Sequence, residues 1–103
     1  MTENNLQAAI VRYLNTLPNT VARVNGPGPA HVVGDPDIYG CVGGLMFHME
    51  VKAEKGLVSP IQEHRMHQWQ TAGAKVYVVR SMDDAKAAHS LVHRYANTHA
   101  LVD

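Results

Sequence analysis

A single cysteine, Cys41, in 103 residues excludes an intramolecular disulfide and any cysteine-rich metal centre. Placed at the end of a β-type run, it is expected to be a small buried hydrophobe. Nine basic and nine acidic residues leave no net charge, which argues against gripping a polyanion by bulk charge alone. No apolar run approaches the roughly 20 residues of a membrane span. Residues Met1 to Asn5 carry neither a basic n-region nor an apolar h-region, so the expected location is the cytoplasm. Internal repeats and low-complexity segments are missing too. The Gly- and Pro-dense residues 26–34 lack the Gly-Lys-Ser/Thr ending of a phosphate-binding loop and read instead as a mobile flap. What remains is one domain spanning 1–103 with a thin core, 46% apolar and 17% charged.

The informative stretch begins at Pro36-Asp37-Ile38-Tyr39-Gly40, passes Gly43-Gly44 and continues from Leu45 to Lys52. Two β-runs joined at a glycine pair predict a hairpin. Strand alternation puts Leu45, Phe47, Met49 and Val51 on a core face and Met46, His48, Glu50 and Lys52 on the other. The hairpin returns Asp37 to the neighbourhood of Glu50 and Lys52. Two carboxylates and an amine converging on one patch suit a hard divalent cation and a phosphate.

Around this hairpin, helical spacing of Leu6, Ile10, Tyr13, Leu14 and Leu17 predicts a first helix from Glu3 to Leu17, stopped by Pro18. Glu3 lies in its first turn, where it favours the helix dipole. Thr20 to Asn25 reads as a strand, with Arg23 either solvated or a phosphate contact. Ser59-Pro60-Ile61-Gln62 opens a second helix as a capping box, and Met66 and Trp69 continue a stripe from Gln62. Gln62 thus has two readings, a cap or a contact to the hairpin patch. Gly73 closes this helix, and Lys75 to Arg80 shows little alternation, predicting a central strand covered on both faces. Ser81 to Asp84 cap a third helix with Ala85, Ala88, Leu91, Val92 and Tyr95 as its stripe, and the tail from Asn97 to Asp103 is expected to fray.

Seven histidines invite a zinc reading, with His64/His67 and His89/His93 spaced to share a metal on a helix. The chain has no HExxH, so the zinc motifs are missing and most of these side chains are expected on the surface. His48 is set apart because it shares the face of Glu50 and Lys52.

The order helix, strand, strand, strand, helix, strand, helix, with Pro36-Asp37 before the second strand and Glu50-Val51-Lys52 ending the third, resembles the PD-(D/E)XK nuclease superfamily. Glu3 with Gln7, Gly34-Asp35-Pro36-Asp37, Ser59-Pro60-Ile61-Gln62 and the strand after Gly73 extend the resemblance over nearly the whole chain to the VRR-NUC domain, the virus-type replication-repair nuclease. The resemblance implies an α/β core with a mixed four-stranded sheet flanked by helices. It also implies Mg²⁺- or Mn²⁺-dependent hydrolysis of DNA phosphodiesters.

Asp37, Glu50 and the backbone carbonyl of Val51 would then hold the metal, with Asp35 a rival to Asp37. Lys52 would orient the attacking water or stabilise transition-state charge, Gln62 would position Lys52 or the nucleophile, and Glu3 would act through a metal-bound water or a second ion. Arg23, Lys55, Arg65 and His48 are candidate DNA contacts. Stand-alone proteins of this kind imply a homodimer that resolves branched DNA such as a four-way junction, its interface formed by the third helix or by Leu101-Val102. A nucleic-acid-binding accessory module with a vestigial site is the alternative, weakened by an intact Asp37, Glu50, Lys52 and Gln62. A small structural metal domain is disfavoured by the lack of Cys and His ligands.

Overall fold

The computed structural model describes residues 1–100, with side chains through Thr98. Its elements are α1 (Glu3–Leu14), β1 (Thr20–Val24), β2 (Ile38–Val42), β3 (Leu45–Val51), α2 (Pro60–Thr71), β4 (Lys75–Val79) and α3 (Met82–Ala100), in the order expected. The sheet runs β1-β2-β3-β4, antiparallel at the first two junctions and parallel between β3 and β4. Helices α1 and α3 pack together on one face, and α2 lies against β4 on the other. The result is a mixed four-stranded sheet between helices.

The β2–β3 hairpin turns on Gly43 and Gly44, both at positive φ, with Val42 opposite Leu45. That two-residue, left-handed turn matches the twist of the strands it joins. Phe47, Met49 and Val51 face α1 and α3, where they bury completely with Ile10, Leu14 and Val92. Each such side chain contributes roughly 1.5–3 kcal/mol of transfer free energy. Phe47, the sole phenylalanine, has room only because Gly40 lies opposite it.

Several elements depart from the sequence reading. Helix α1 stops at Leu14 because the Asn15 side chain turns to β1, donating to the Ala22 carbonyl at 3.0 Å and accepting from its N–H at 2.9 Å. The amide thus imitates a neighbouring strand on an otherwise open edge. Strand β4 is an edge strand, not a central one. Its run lacks alternation because α3 and α2 contact opposite faces, although the covering is incomplete: Val79 is buried and Val78 is exposed. No residue of α2 is fully buried, and Met66 and Trp69 are only half covered.

The buried stripe of α3 is Ala85, Ala88, Val92 and Ala96, while Leu91 and Tyr95 are exposed. That helix also runs on through residues expected to fray, where the Thr98 hydroxyl donates to the Arg94 carbonyl at 2.9 Å. Leu101 and Val102 lie outside the described residues. Cys41 is exposed rather than buried, since its strand turns it away from the core. Among the other histidines, His89 is half-buried and pairs with the Thr20 hydroxyl at 3.0 Å.

A Cβ at position 40 would stand 2.6 Å from the Phe47 ring, with backbone on its other side. Gly40→Ala should therefore destabilise the domain by about 2 kcal/mol through overpacking, read as a lowered urea midpoint with unchanged slope.

Candidate active site

Asp37 follows the buried Pro36 and enters β2 with its carbonyl accepting from the Asn25 N–H at 2.7 Å. Pairing of Ile38 with Met49 sets Asp37 opposite Glu50 across the hairpin. The Asp37 carboxylate then accepts from the Val51 N–H at 2.8 Å, a side chain completing the ladder where β2 begins. Asp35, two residues earlier, is committed elsewhere, accepting from the Trp69 indole N–H at 3.2 Å. Of the two aspartates, Asp37 stands with Glu50.

Glu50 is only 1% exposed. Its Oε1 accepts from the Gln62 amide at 3.2 Å, while its Oε2 is buried with no hydrogen-bond partner among the described residues. Burial pushes the Glu50 carboxyl up to about 8; the Asp37 carboxylate adds to the push and Lys52 opposes it. Glu3 also raises it, as the weakest of these influences. A buried carboxylate oxygen without a donor, beside a second carboxylate, needs a proton or a cation. The oxygens of Asp37 and Glu50 suit a hard divalent ion.

Gln62 fills both roles considered for it. Its Oε1 accepts from the Ser59 N–H at 2.9 Å and closes the capping box, and its Nε2 faces Glu50. One amide caps α2 and fixes the carboxylate.

The same helix braces the strand approach to Asp37. Arg65 donates from Nε to the Val33 carbonyl at 3.1 Å, and Gly34 packs against Ile61 and Arg65. The end of the supposed flap is therefore fastened to α2, and the Arg65 guanidinium is partly spent on it. His48 lies under Trp69, ring centroids 4.1 Å apart, and is 2% exposed. Burial holds its imidazole below the ordinary range against the pull of Asp35. A direct DNA contact through His48 is thus corrected, because the ring does not reach solvent. Arg23 and Lys55 are exposed.

Lys52 is half-buried, its N–H donating to the Val79 carbonyl at 3.0 Å. The segment after it is clamped from two sides. Glu3 accepts from the Ala53 N–H at 2.8 Å, and Arg80 Nη1 donates to the carbonyls of Ala53 at 2.9 Å and Gly56 at 2.7 Å. No group of three or more His, Cys, Asp or Glu side chains with metal-holding placement occurs among the described residues. Glu3 meets the site through Ala53, while Asp37 and Glu50 form the carboxylate pair. Arg80 and Trp69 were not singled out as site residues from sequence. The signal for Arg80 is the parallel register of Val51 with Val79, which sets residue 80 beside Lys52.

Two outcomes follow from this geometry. Between about 4.5 and about 8 the folded chain keeps a proton on Glu50 that the unfolded chain releases, so metal-free stability falls as pH rises through that window. Glu50→Gln should remove the loss, melting above the parent at pH 8 and converging with it in acid by calorimetry. Arg80→Ala should free the 53–56 segment and speed tryptic cleavage after Lys55, measured with the fold intact by circular dichroism.

No protein-family model matches the chain, and no curated protein matches it in sequence. Solved structures do. A structure described as a VRR_NUC domain protein superposes with a TM-score of 0.75 at 13% identity, covering 91% of this chain and 89% of its own. A second, described as a VRR_NUC domain, gives 0.69 at 22% identity over 85% of this chain and 94% of its own. The three-layer arrangement that sets Asp37 against Glu50 is the fold of VRR_NUC domain proteins.

Proposed function

We propose that the chain is a metal-dependent nuclease hydrolysing DNA phosphodiesters. The observation carrying this reading is the buried, unpartnered Oε2 of Glu50 beside Asp37, within a fold shared with VRR_NUC domain proteins. Asp37, Glu50 and the Val51 carbonyl would hold Mg²⁺ or Mn²⁺, which when bound acidifies water and offsets charge on the reacting phosphate. Gln62 keeps Glu50 in place through its amide. Lys52 orients the attacking water or stabilises charge developing on the phosphate oxygens. Its position depends on the clamp of Glu3 and Arg80 on the following segment.

The proposed working unit is a homodimer cutting branched DNA, with a four-way junction as the leading substrate. A chain of zero net charge presents few phosphate contacts, so one copy binds weakly at physiological salt, whereas paired copies gain avidity on a rigid branched substrate. Two-fold symmetry would also present two sites to two strands. The Ala-rich stripe of α3 is consumed by the core and is unavailable for an interface.

Labelled duplex, flap, single-stranded and four-way-junction DNA, with and without Mg²⁺ or Mn²⁺, test the reading. Asp37→Ala, Glu50→Ala and Lys52→Ala should each lower cleavage at least about a hundredfold while remaining folded. Parental cleavage by folded Glu50→Ala would end the assignment. A monomer by sedimentation that cuts junctions no better than linear duplex would end the dimer reading alone.

A further inference from the structure

Strand alternation lays out the open face of the sheet in rows. The row at the carboxylates is Asp37 opposite Glu50; the next is Arg23, Tyr39 and His48; the third is Val21, Cys41 and Met46. Adjacent rows are roughly 7 Å apart. Helix α2 covers the β3 side of this face through Gln62 on Glu50 and Trp69 on His48. It leaves the β1 and β2 side bare.

There Val21 is 53% exposed, Tyr39 39% and Met46 37%, around an open slot of about 280 Å³ that Arg23 also lines. The Arg23 guanidinium bonds to the Ala22 carbonyl and forms no ion pair among the described residues.

We propose that this face binds an unpaired nucleic-acid segment running away from the carboxylates, with a base stacked on Tyr39 and a phosphate held by Arg23. The proposal rests on the nuclease reading for the direction of the strand. Three features select a single strand over a duplex. The slot is shallow enough to be open to solvent and mostly apolar, which suits the π-face of a base. A duplex would offer chiefly phosphates to a surface with one cation. An aromatic ring beside a cation is also the minimal platform for sequence-tolerant stacking. The patch is continuous with the proposed reaction centre, since Tyr39 and Asp37 project from the same side of β2. A single-stranded arm beside a duplex is a structural element of flaps and frayed branch points. The face thus adds a reason for structure selectivity that the carboxylates alone do not provide.

The test is binding of fluorescein-labelled oligothymidylate and of a blunt duplex by the full chain, in EDTA and again in Ca²⁺ to avoid cleavage. Wild type should bind the single strand, Tyr39→Ala should weaken it at least about fivefold, and Tyr39→Phe should restore it. Arg23→Ala should reduce the salt dependence by about one phosphate contact. Tyr39→Thr, which retains strand preference, serves if Tyr39→Ala does not fold. The proposal fails if wild type does not bind the single strand, if folded Tyr39→Ala or Tyr39→Thr binds it like wild type, or if single strand and duplex weaken equally. It fails also if losing Tyr39 converts a dimer to a monomer, which would make the face a contact between copies. Cleavage is scored separately: Tyr39-dependent binding by a chain that never cleaves upholds this face and removes the nuclease reading.

Discussion

Register across the β2–β3 hairpin is the constraint on which the rest of the molecule depends. A two-residue turn at Gly43 and Gly44 fixes Val42 opposite Leu45, and every later pairing follows from it. Slipping by one residue would reverse the faces of β3, sending Glu50 into the aliphatic core and Phe47 outward. The core therefore enforces the register that the site needs. Burial of Phe47, Met49 and Val51 on one face is what sets Asp37 against Glu50 on the other.

That arrangement sets packing and electrostatics in opposition. Glu50 is buried almost completely, one of its oxygens lacks a partner, and a second carboxylate stands beside it. A domain of this size has little stability to spare for such a group. The local cost is offset by an unusually complete frame. Gln62 binds Glu50 at the end of the hairpin, and Arg65 and Trp69 bind Val33 and Asp35 in its approach, from a helix that itself buries no residue fully. Helix α2 serves more as a polar brace than as a core element, which explains its poor amphipathicity.

Much of this was legible in the residues. The hairpin, its two faces, the capping box at Ser59 and the return of Asp37 to Glu50 all follow from local rules of turn, alternation and cap. What local rules misread was set by tertiary partners. Asn15 ends α1 because a strand edge seven residues later receives its amide. Strand β4 reads as central because helices contact both its faces, although strand pairing leaves it at the margin. The capping and site roles of Gln62 looked like alternatives because spacing treats a side chain as one unit, whereas the oxygen and nitrogen of an amide can serve different neighbours. Arg80 gave no local signal, since its meaning comes from a parallel register spanning the whole of α2.

Trp69, the sole indole of the chain, gives the architecture its own optical gauge. It packs at a tilt against His48 on β3 and bonds to Asp35 just before β2, so its surroundings join both arms of the hairpin to α2. Any movement separating the helix from the strands must change the distance between indole and imidazole. Emission from a native side chain can thus follow opening and closing around the carboxylates without an attached label.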